Sequence, residues 1–228
     1  MGHRQENESP EAREAKLIEL NRAFATALLM GDEIGAELAI RDAMDARLST
    51  AEIDDEVIAP ALWLVGDLWE RGEISVADEH LATEISLRVL ALQREAQRLS
   101  DSRSDRRIML ATPAGELHTV ALRMTADLLR QAGYGVMMLG ADVPAGDLAS
   151  IARRYEPDVV CMSSTMPGGI DRIFVAIDEV QQSSPDTAFA IGGRGLSRTR
   201  SEPGISVCRR IPEVVDAVDA LIKRADLN

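Results

Sequence analysis

His118 and Glu116 have the types and the spacing of a metal ligand and its hydrogen-bonding partner. Imidazole is a good ligand for late transition metals. A carboxylate two residues away can hold the other ring nitrogen, fix the tautomer and raise the basicity of the ligand. On spacing alone, a surface histidine at the start of a helix is the simpler interpretation. The secondary structure around Glu116 and His118 is therefore needed to choose between a metal ligand and a surface histidine.

The second half of the chain alternates short apolar runs with amphipathic segments. The sequence predicts strands at 108–111, 136–139, 159–162 and 188–191, and a weak fifth strand at 205–208. It predicts helices at 120–132, 147–155, 170–181 and 212–224. This alternation is typical of a doubly wound parallel sheet of the Rossmann-like, flavodoxin-like class. Ligands of such sheets lie beyond the carboxyl ends of the strands. The segments 112–118, 140–144, 163–169 and 192–196 should therefore line one crevice.

The first half contains no convincing strand. The sequence predicts helices at 10–30 and 33–47, a third carrying the apolar stripe from Val57 to Trp69, and a fourth from Ser75 to about Leu99. Short connections favour an antiparallel four-helix bundle. The polar stretch 101–105 is interpreted as a linker. We therefore expect a helical-bundle cap domain at 10–100 and an α/β domain at 106–228.

Four short motifs in the second half resemble the cobalamin-binding domain of corrinoid methyl-transfer proteins, mutases and cobalamin photoreceptors. They are Glu116-Leu117-His118, Leu139–Pro144, Ser163-Ser164-Thr165 and Gly192-Gly193. The family carries Asp-x-His-x-x-Gly after its first strand, and here the acid is Glu and the last position is Ala121. The family's Ser-x-Leu ends here in Thr165.

The resemblance implies that His118 binds cobalt beneath the corrin, in place of the cofactor's own base. It implies that Ser163 contacts the displaced nucleotide tail and that Gly192 and Gly193 let the tail approach the backbone. The other cofactor-binding residues it implies are Glu116, Leu117, Thr119, Asp142, Val143 and Thr165.

The helical half carries a Trp, nine residues and then Glu-His, at Trp69, Glu79 and His80. This motif resembles that of CarH-like cobalamin photoreceptors and their stand-alone relatives. It implies that Trp69 packs over the adenosyl group and that Glu79 and His80 line its pocket. Taken singly, each residue has a plainer interpretation. Trp69 would belong to the bundle core, Glu79 would stabilise the helix dipole, and His80 would be an ordinary interface residue. Some light sensors have a cobalt-binding histidine directly after the Trp, where this chain has Glu70.

The resemblance thus implies a light sensor that binds adenosylcobalamin and responds to breakage of the cobalt–carbon bond. The alternatives are a corrinoid shuttle for methyl transfer and an interaction module without cofactor. We expect no enzyme, because the sequence has no phosphate-binding loop and no nucleophile with a placed base. We also expect no output domain in the chain, and therefore a separate output protein, such as a transcription regulator or signalling enzyme, and a homo-oligomer.

Composition and charge limit the classes of function that remain for this protein. The net charge of −13 argues against a nucleic-acid surface, and no apolar run approaches the roughly 20 residues of a membrane span. Cys161 and Cys208 are interpreted as buried thiols of a reducing compartment, so we expect a cytoplasmic protein. No cysteine is placed for a thioether link, so a second chromophore such as biliverdin would be bound non-covalently.

Overall fold

The structure is a computed structural model and describes residues 9–96, 104–196, 199 and 201–227. The chain divides into two compact units between Gln93 and Arg94. Part of the predicted linker, residues 101–103, and the predicted end of the fourth helix near Leu99 lie outside the described residues. We therefore describe each unit by itself.

The first unit is entirely helical within its described residues. Its elements are α1 (Pro10–Met30), α2 (Glu33–Asp45), α3 (Thr50–Glu52), a π-helical segment (Ile53–Ile58), α4 (Ala59–Glu70) and α5 (Val76–Ala96). Ser9 caps the start of α1, and Gly31 ends it with a positive φ of 64°. Buried apolar side chains from α1, α2, α4 and α5 form the core of this unit.

The predicted third helix is not one regular helix, and this corrects the sequence analysis. The segment Ile53–Ile58 adopts π-helical hydrogen bonding before α4 begins. Pro60 lies in the first turn of α4 and has no N–H to donate to the preceding turn. The side-chain amide of Asn21 donates to the carbonyl of Val57 at 2.8 Å, which supplies one backbone acceptor of the π segment with a partner. The wider turn also buries Asp54 and Asp55.

Two local motifs fix the turn between α4 and α5. Gly72 has a φ of 69°, and its N–H donates to Trp69 while that of Glu73 donates to Leu68, both at 2.9 Å. This pair of bonds is a Schellman motif. Ser75 and Asp78 then cap each other's backbone N–H groups at the start of α5. The end of α4 and the start of α5 therefore lie at the same end of the unit.

The second unit is a five-stranded parallel sheet flanked by helices. Its strands are β1 (Arg107–Pro113), β2 (Gly135–Val143), β3 (Val159–Ser163), β4 (Ala188–Gly192) and β5 (Ile205–Cys208). They lie in the order β2-β1-β3-β4-β5, and every pairing is parallel. The helices are α6 (Val120–Gln131), α7 (Ala145–Tyr155), α8 (Gly169–Ser183) and α9 (Glu213–Ala225), with a 3-10 turn at Arg194–Leu196. The predicted fold class, a helical cap plus a doubly wound α/β domain, is confirmed.

After β1 the chain continues to β2 on one side, and after β3 it continues to β4 on the other side. The loops after β1 and β3 therefore diverge and leave room for a ligand between them. One face of the sheet is covered by the core that α7 and α8 form with β1, β3 and β4. The strand β2 is longer than predicted, because Gly140–Val143, expected as a turn, continues the pairing with β1 through two register shifts. Gly140, with a φ of 96°, allows this irregular extension.

Candidate cobalamin site

Glu116 occupies the centre of the switch point and is fully buried. Its Oε1 lies 2.5 Å from Nδ1 of His118 and accepts the backbone N–H of the same residue at 3.1 Å. Its Oε2 accepts the hydroxyl of Ser164 and the N–H of Thr165, both at 2.8 Å, and the N–H of Met166 at 3.2 Å. One carboxylate thus ties the loop after β1 to the loop after β3.

The hydrogen bonds to Glu116 also set its charge state. Burial by itself raises the pKa of this carboxyl. The hydrogen bonds from His118, Met166 and Ser164 outweigh burial and lower the pKa from 4.5 to about 2. Glu116 is therefore a carboxylate at neutral pH, and it accepts hydrogen bonds from every one of these groups.

His118 combines a fixed ring with partial exposure. Its side chain is 41% exposed, whereas that of Glu116 is 0% exposed. Because the carboxylate of Glu116 accepts the proton on Nδ1, the neutral imidazole is the tautomer with its lone pair on Nε2. The structure therefore gives the predicted cobalt ligand the tautomer and the orienting partner that metal-binding histidines have.

The loop that carries the pair is held by β2. The side chain of Asp142 accepts the N–H of Gly115 at 2.6 Å. The N–H of Asp142 donates to the carbonyl of Glu116 and to Oγ1 of Thr112, both at 3.1 Å. The hydroxyl of Thr112 donates in turn to the carbonyl of Glu116 at 2.5 Å. Asp142 adopts a φ of 55°, a conformation that Asp tolerates better than most residues. Val143, the last residue of β2, pairs with Pro113.

Two serines lie at the end of β3 and have different partners, while the contact of Ser163 with a nucleotide tail stays a prediction. Ser163, predicted to contact the nucleotide tail, is half-buried at the end of β3 and pairs with Gly192. Its neighbour Ser164 is 1% exposed and is the serine that donates to Glu116. The roles of Ser164 and Thr112 were not predicted, since no local pattern in the sequence distinguishes Ser164 from Ser163 as the partner of Glu116.

Gly193 is required by the protein's own packing. A Cβ atom there would lie 2.3 Å from the carbonyl oxygen of Ser164, and the residue has a φ of 107°. Gly192 would bring a Cβ within 3.1 Å of the carbonyl of Cys208. The approach of a nucleotide tail to these glycines stays a prediction, and the close backbone packing is a second reason for glycine at both positions.

Two further predicted residues flank the pair. Leu117, between Glu116 and His118, is 70% exposed. Thr119 is the residue before α6 and makes no side-chain cap. Leu117 therefore lies at the accessible edge of the loop, whereas Thr119 is half-buried, and the contact of either with a cofactor stays a prediction.

In the first unit, Trp69 is 36% exposed near the end of α4. This differs from the bundle-core position that its place on the apolar stripe would favour. Nδ1 of His80 lies 2.6 Å from Oε2 of Glu79, and Thr83 donates to the other oxygen of Glu79 at 3.1 Å. The side chain of His80 is 73% exposed and that of Glu79 is 20% exposed. All three predicted residues thus lie at one end of the unit, joined by the fixed turn between α4 and α5.

Both cysteines are free thiols. Cys161 is buried and Cys208 is only partly buried, which corrects the expectation that both would be buried. Burial raises the pKa of Cys161, and it raises the pKa of Cys208 to about 11.

No helix in the described part of the chain has the length and hydropathy to cross a membrane.

Comparison with known families matches both halves of the chain. A B12 binding domain matches residues 106–221, which is about half of the chain and contains the Glu116–His118 pair. A second B12 binding domain model matches residues 20–92 in the helical unit.

Individual relatives come from two kinds of protein. The HTH-type transcriptional repressor CarH of Myxococcus xanthus is 30% identical over 172 residues, which cover 75% of this chain and 55% of the repressor. Corrinoid protein DSY3155 of Desulfitobacterium hafniense is 27% identical over 144 residues, which cover 61% of this chain and 66% of that protein. The chain thus spans between about half and two thirds of the length of these relatives.

The structure of the Methanosarcina barkeri monomethylamine corrinoid protein superimposes with a TM-score of 0.75 at 14% identity, covering 89% of this chain and 99% of that one. This likeness supports the fold. The match over residues 106–221, together with the buried carboxylate and its histidine at the sheet's switch point, shows the family: the chain belongs to the B12-binding domain proteins, and cobalamin is its ligand.

Proposed function

We propose that this protein is a cobalamin-dependent light sensor, which binds adenosylcobalamin with His118 in place of the cofactor's own lower base. The observation that carries the proposal is the buried Glu116 carboxylate 2.5 Å from Nδ1 of His118 at the switch point of the sheet. When bound, adenosylcobalamin supplies a cobalt–carbon bond that light can break. The protein then changes its conformation or its assembly.

The residues of the second unit fit a corrinoid. If a corrinoid binds here, His118 would supply the one imidazole ligand that the protein adds to its cobalt. Glu116 holds that imidazole in the Nε2 tautomer and, as a carboxylate, raises its basicity. Hydrogen bonds from Ser164 and Thr165 keep the carboxylate in place.

The first unit supports the choice of a sensor over a carrier. Trp69 exposes about a third of its surface near the turn that leads to Glu79 and His80. An exposed indole at the same end of the unit as a Glu–His pair suits a flat heteroaromatic ligand with polar edges, which describes adenosine. Trp69 is proposed to cover the adenosyl group, with Glu79 and His80 at its polar edge. Because Glu70 follows Trp69, a histidine from that position does not take part in the light state.

The output is proposed to be a separate protein, with cobalamin-dependent homo-oligomerisation as the signal. The similarity to a transcriptional repressor favours a transcription regulator as that partner. Direct binding of nucleic acid by this chain is not proposed, because its net charge is −13. A bilin such as biliverdin would be a second, non-covalent chromophore.

A corrinoid shuttle for methyl transfer is the second candidate function. It is favoured by the similarity to a corrinoid protein over 144 residues. A shuttle has to present its cobalt to partner enzymes, and the exposed Trp69 has no evident part in that exchange.

The test is an absorption spectrum of the purified protein with adenosylcobalamin in the dark and after green light, combined with gel filtration of both samples. A sensor gives a bound spectrum that changes permanently on illumination, together with a changed elution volume. A bound spectrum that light does not change, with the same elution volume in both samples, contradicts the sensor and favours the shuttle. Methylcobalamin is the matched control, since it carries a light-sensitive bond without the adenosine that Trp69 is proposed to select.

A further inference from the structure

Arg172 lies beside the Glu116–His118 loop and has no role in the cofactor contacts described above. It is the fourth residue of α8. A Cβ atom on Gly115 would lie 3.9 Å from Nε and 4.0 Å from Cζ of Arg172, and a Cβ atom on Gly169 would lie 3.8 Å from its Nη2. The guanidinium therefore packs against two glycines, one in the loop after β1 and one at the start of α8.

The guanidinium of Arg172 has no acceptor among the residues that the structure describes. Its Nε is buried without a hydrogen-bond partner, and within the described ranges no carboxylate lies within 4 Å of it. A buried N–H of a charged group that lacks an acceptor costs more free energy than one in water. Glu116 does not fill this role, because its two oxygens accept from His118, Ser164, Thr165 and Met166.

The start of α8 adds to the positive potential at this place. Its N-cap is Gly168, which has a φ of 78° and makes no side-chain cap. A helix of 15 residues carries partial positive charge at its N-terminus, and the one acidic side chain in the first turn of α8, Asp171, is exposed to solvent. A half-buried guanidinium and an uncapped helix start, next to each other at the carboxyl end of the sheet, favour an anion.

We propose that the guanidinium of Arg172, at the N-terminus of α8, forms a subsite for an oxyanion of a bound ligand. The shared chemistry is a singly charged phosphate or carboxylate oxygen pair, which a guanidinium can hold with two parallel hydrogen bonds. Two sources are available: the phosphodiester in the nucleotide tail of cobalamin, and a propionate of a linear tetrapyrrole. The first source rests on the proposed cobalamin site, whereas the second does not.

The experiment compares dissociation constants of wild type and Arg172→Gln for three probes in the dark: adenosylcobalamin, adenosylcobinamide and biliverdin. Adenosylcobinamide has the same corrin and upper ligand as adenosylcobalamin but lacks the nucleotide tail with its phosphodiester. Arg172→Lys keeps the charge without the planar fork, and Arg153→Gln removes an exposed arginine from α7 of the same unit. Circular dichroism and thermal melting establish that each variant is folded.

A phosphodiester subsite predicts that Arg172→Gln weakens adenosylcobalamin binding at least tenfold, the usual loss for a charge-assisted hydrogen bond, and leaves adenosylcobinamide unchanged. A carboxylate subsite predicts an equal loss for biliverdin alone. In both cases Arg172→Lys retains part of the affinity and Arg153→Gln retains all of it. The proposal is overturned if Arg172→Gln affects no probe, or if it weakens adenosylcobinamide as much as adenosylcobalamin.

The outcomes also separate this inference from the proposed function. If wild type binds adenosylcobalamin and responds to light while Arg172→Gln changes nothing, the sensor stands and the oxyanion subsite is wrong. If wild type binds no corrinoid but binds biliverdin through Arg172, the sensor is wrong and the subsite stands.

Discussion

The carboxylate of Glu116 lies 2.5 Å from Nδ1 of His118 through one oxygen and accepts the hydroxyl of Ser164 at 2.8 Å through the other. The same group therefore orients the proposed cobalt ligand and joins two loops of the sheet. The orientation of His118 and the stability of the fold both depend on the side chain of Glu116. Substitutions can separate these two effects.

Replacing His118 by Ala removes the proposed ligand while leaving the other partners of Glu116 in place. Because His118 donates one hydrogen bond to the buried Glu116 carboxylate, we expect the free energy of unfolding of the ligand-free protein to fall by roughly 1–2 kcal/mol. Affinity for adenosylcobalamin should fall at least about tenfold, and any bound cofactor should lose its imidazole spectrum. Arg153→Ala, an exposed change on α7 of the same unit, is the control. Unchanged affinity and spectrum in His118→Ala would exclude this ligand.

Compared with wild type, Glu116→Gln should have a lower free energy of unfolding in the ligand-free protein. This loss should be larger at neutral pH than at acid pH. The pKa of Glu116 is lowered from 4.5 to about 2 in the folded state. A lowered pKa stabilises the fold above the unfolded value, and this contribution is lost as pH falls through 4.5 towards 2. The difference amounts to roughly 3 kcal/mol.

Urea unfolding of wild type and Glu116→Gln at pH 7, 5 and 3 measures this difference. The stabilities of the two proteins should converge as the pH falls, whereas Glu179→Gln, an exposed change on α8, should follow wild type at every pH. Parallel pH profiles for wild type and Glu116→Gln would mean that the carboxylate does not hold these loops.

Gly193→Ala tests the close packing of β4 against the loop after β3. The added Cβ would lie 2.3 Å from the carbonyl of Ser164 at a φ of 107°, so we expect a loss of about 2 kcal/mol or more. Gly146→Ala is the matched control, since a Cβ there meets nothing within 4 Å inside α7. It should leave stability unchanged or raise it by up to about 1 kcal/mol. Thermal melting of the ligand-free variants measures both effects, and equal melting temperatures would refute the proposed packing constraint.

Trp69→Ala should separate binding of the corrin from selection of its upper ligand. Trp69 is 36% exposed in the first unit, whereas the Glu116–His118 pair lies in the second. We expect the variant to bind cobalamin but to lose its preference for the adenosyl form over the methyl form. Competition between the two forms in the dark measures that preference. Trp63→Ala, at 45% exposure on the same helix, controls for the loss of an indole, and an equal effect of both changes would argue against a specific role for Trp69.

The two cysteines should resist alkylation in the folded protein. Burial raises the pKa of Cys208 to about 11, so about one molecule in a thousand carries its thiolate at pH 8. Cys161 is fully buried and its pKa is raised further. Mass spectrometry after treatment with iodoacetamide should find little modification natively and complete modification in urea. Rapid native labelling of Cys208 would show that the end of β5 is more open than described.

Periodicity and local motifs predicted most of the secondary structure. Helix α1 begins after Ser9 and ends at Met30 before Gly31, as expected, because the cap and the glycine act within one turn. The strands β3 and β4 were predicted within a residue, since continuous apolar runs are typical of strands buried on both faces. Parallel alternation then predicted which loops share the carboxyl edge of the sheet.

Features that depend on contacts between distant residues were missed. The hydrogen bond from the amide of Asn21 to the carbonyl of Val57 in the π segment joins residues 36 apart. The extension of β2 to Val143 depends on its register with β1. No local pattern in the sequence carries either relationship.

The sequence by itself determined that a histidine and a carboxylate would both lie in a loop at the carboxyl end of a parallel sheet, because strand alternation fixes which loops lie there. Only the tertiary structure decided that Glu116 would be buried, charged and shared between His118 and Ser164, because those contacts join residues 48 apart through the pairing of β1 with β3. Tertiary contacts likewise decided that Arg172 would lie beside Gly115 without an acceptor among the described residues. A sequence specifies its turns and its apolar faces locally, whereas the partner of a buried charge depends on how the elements pack.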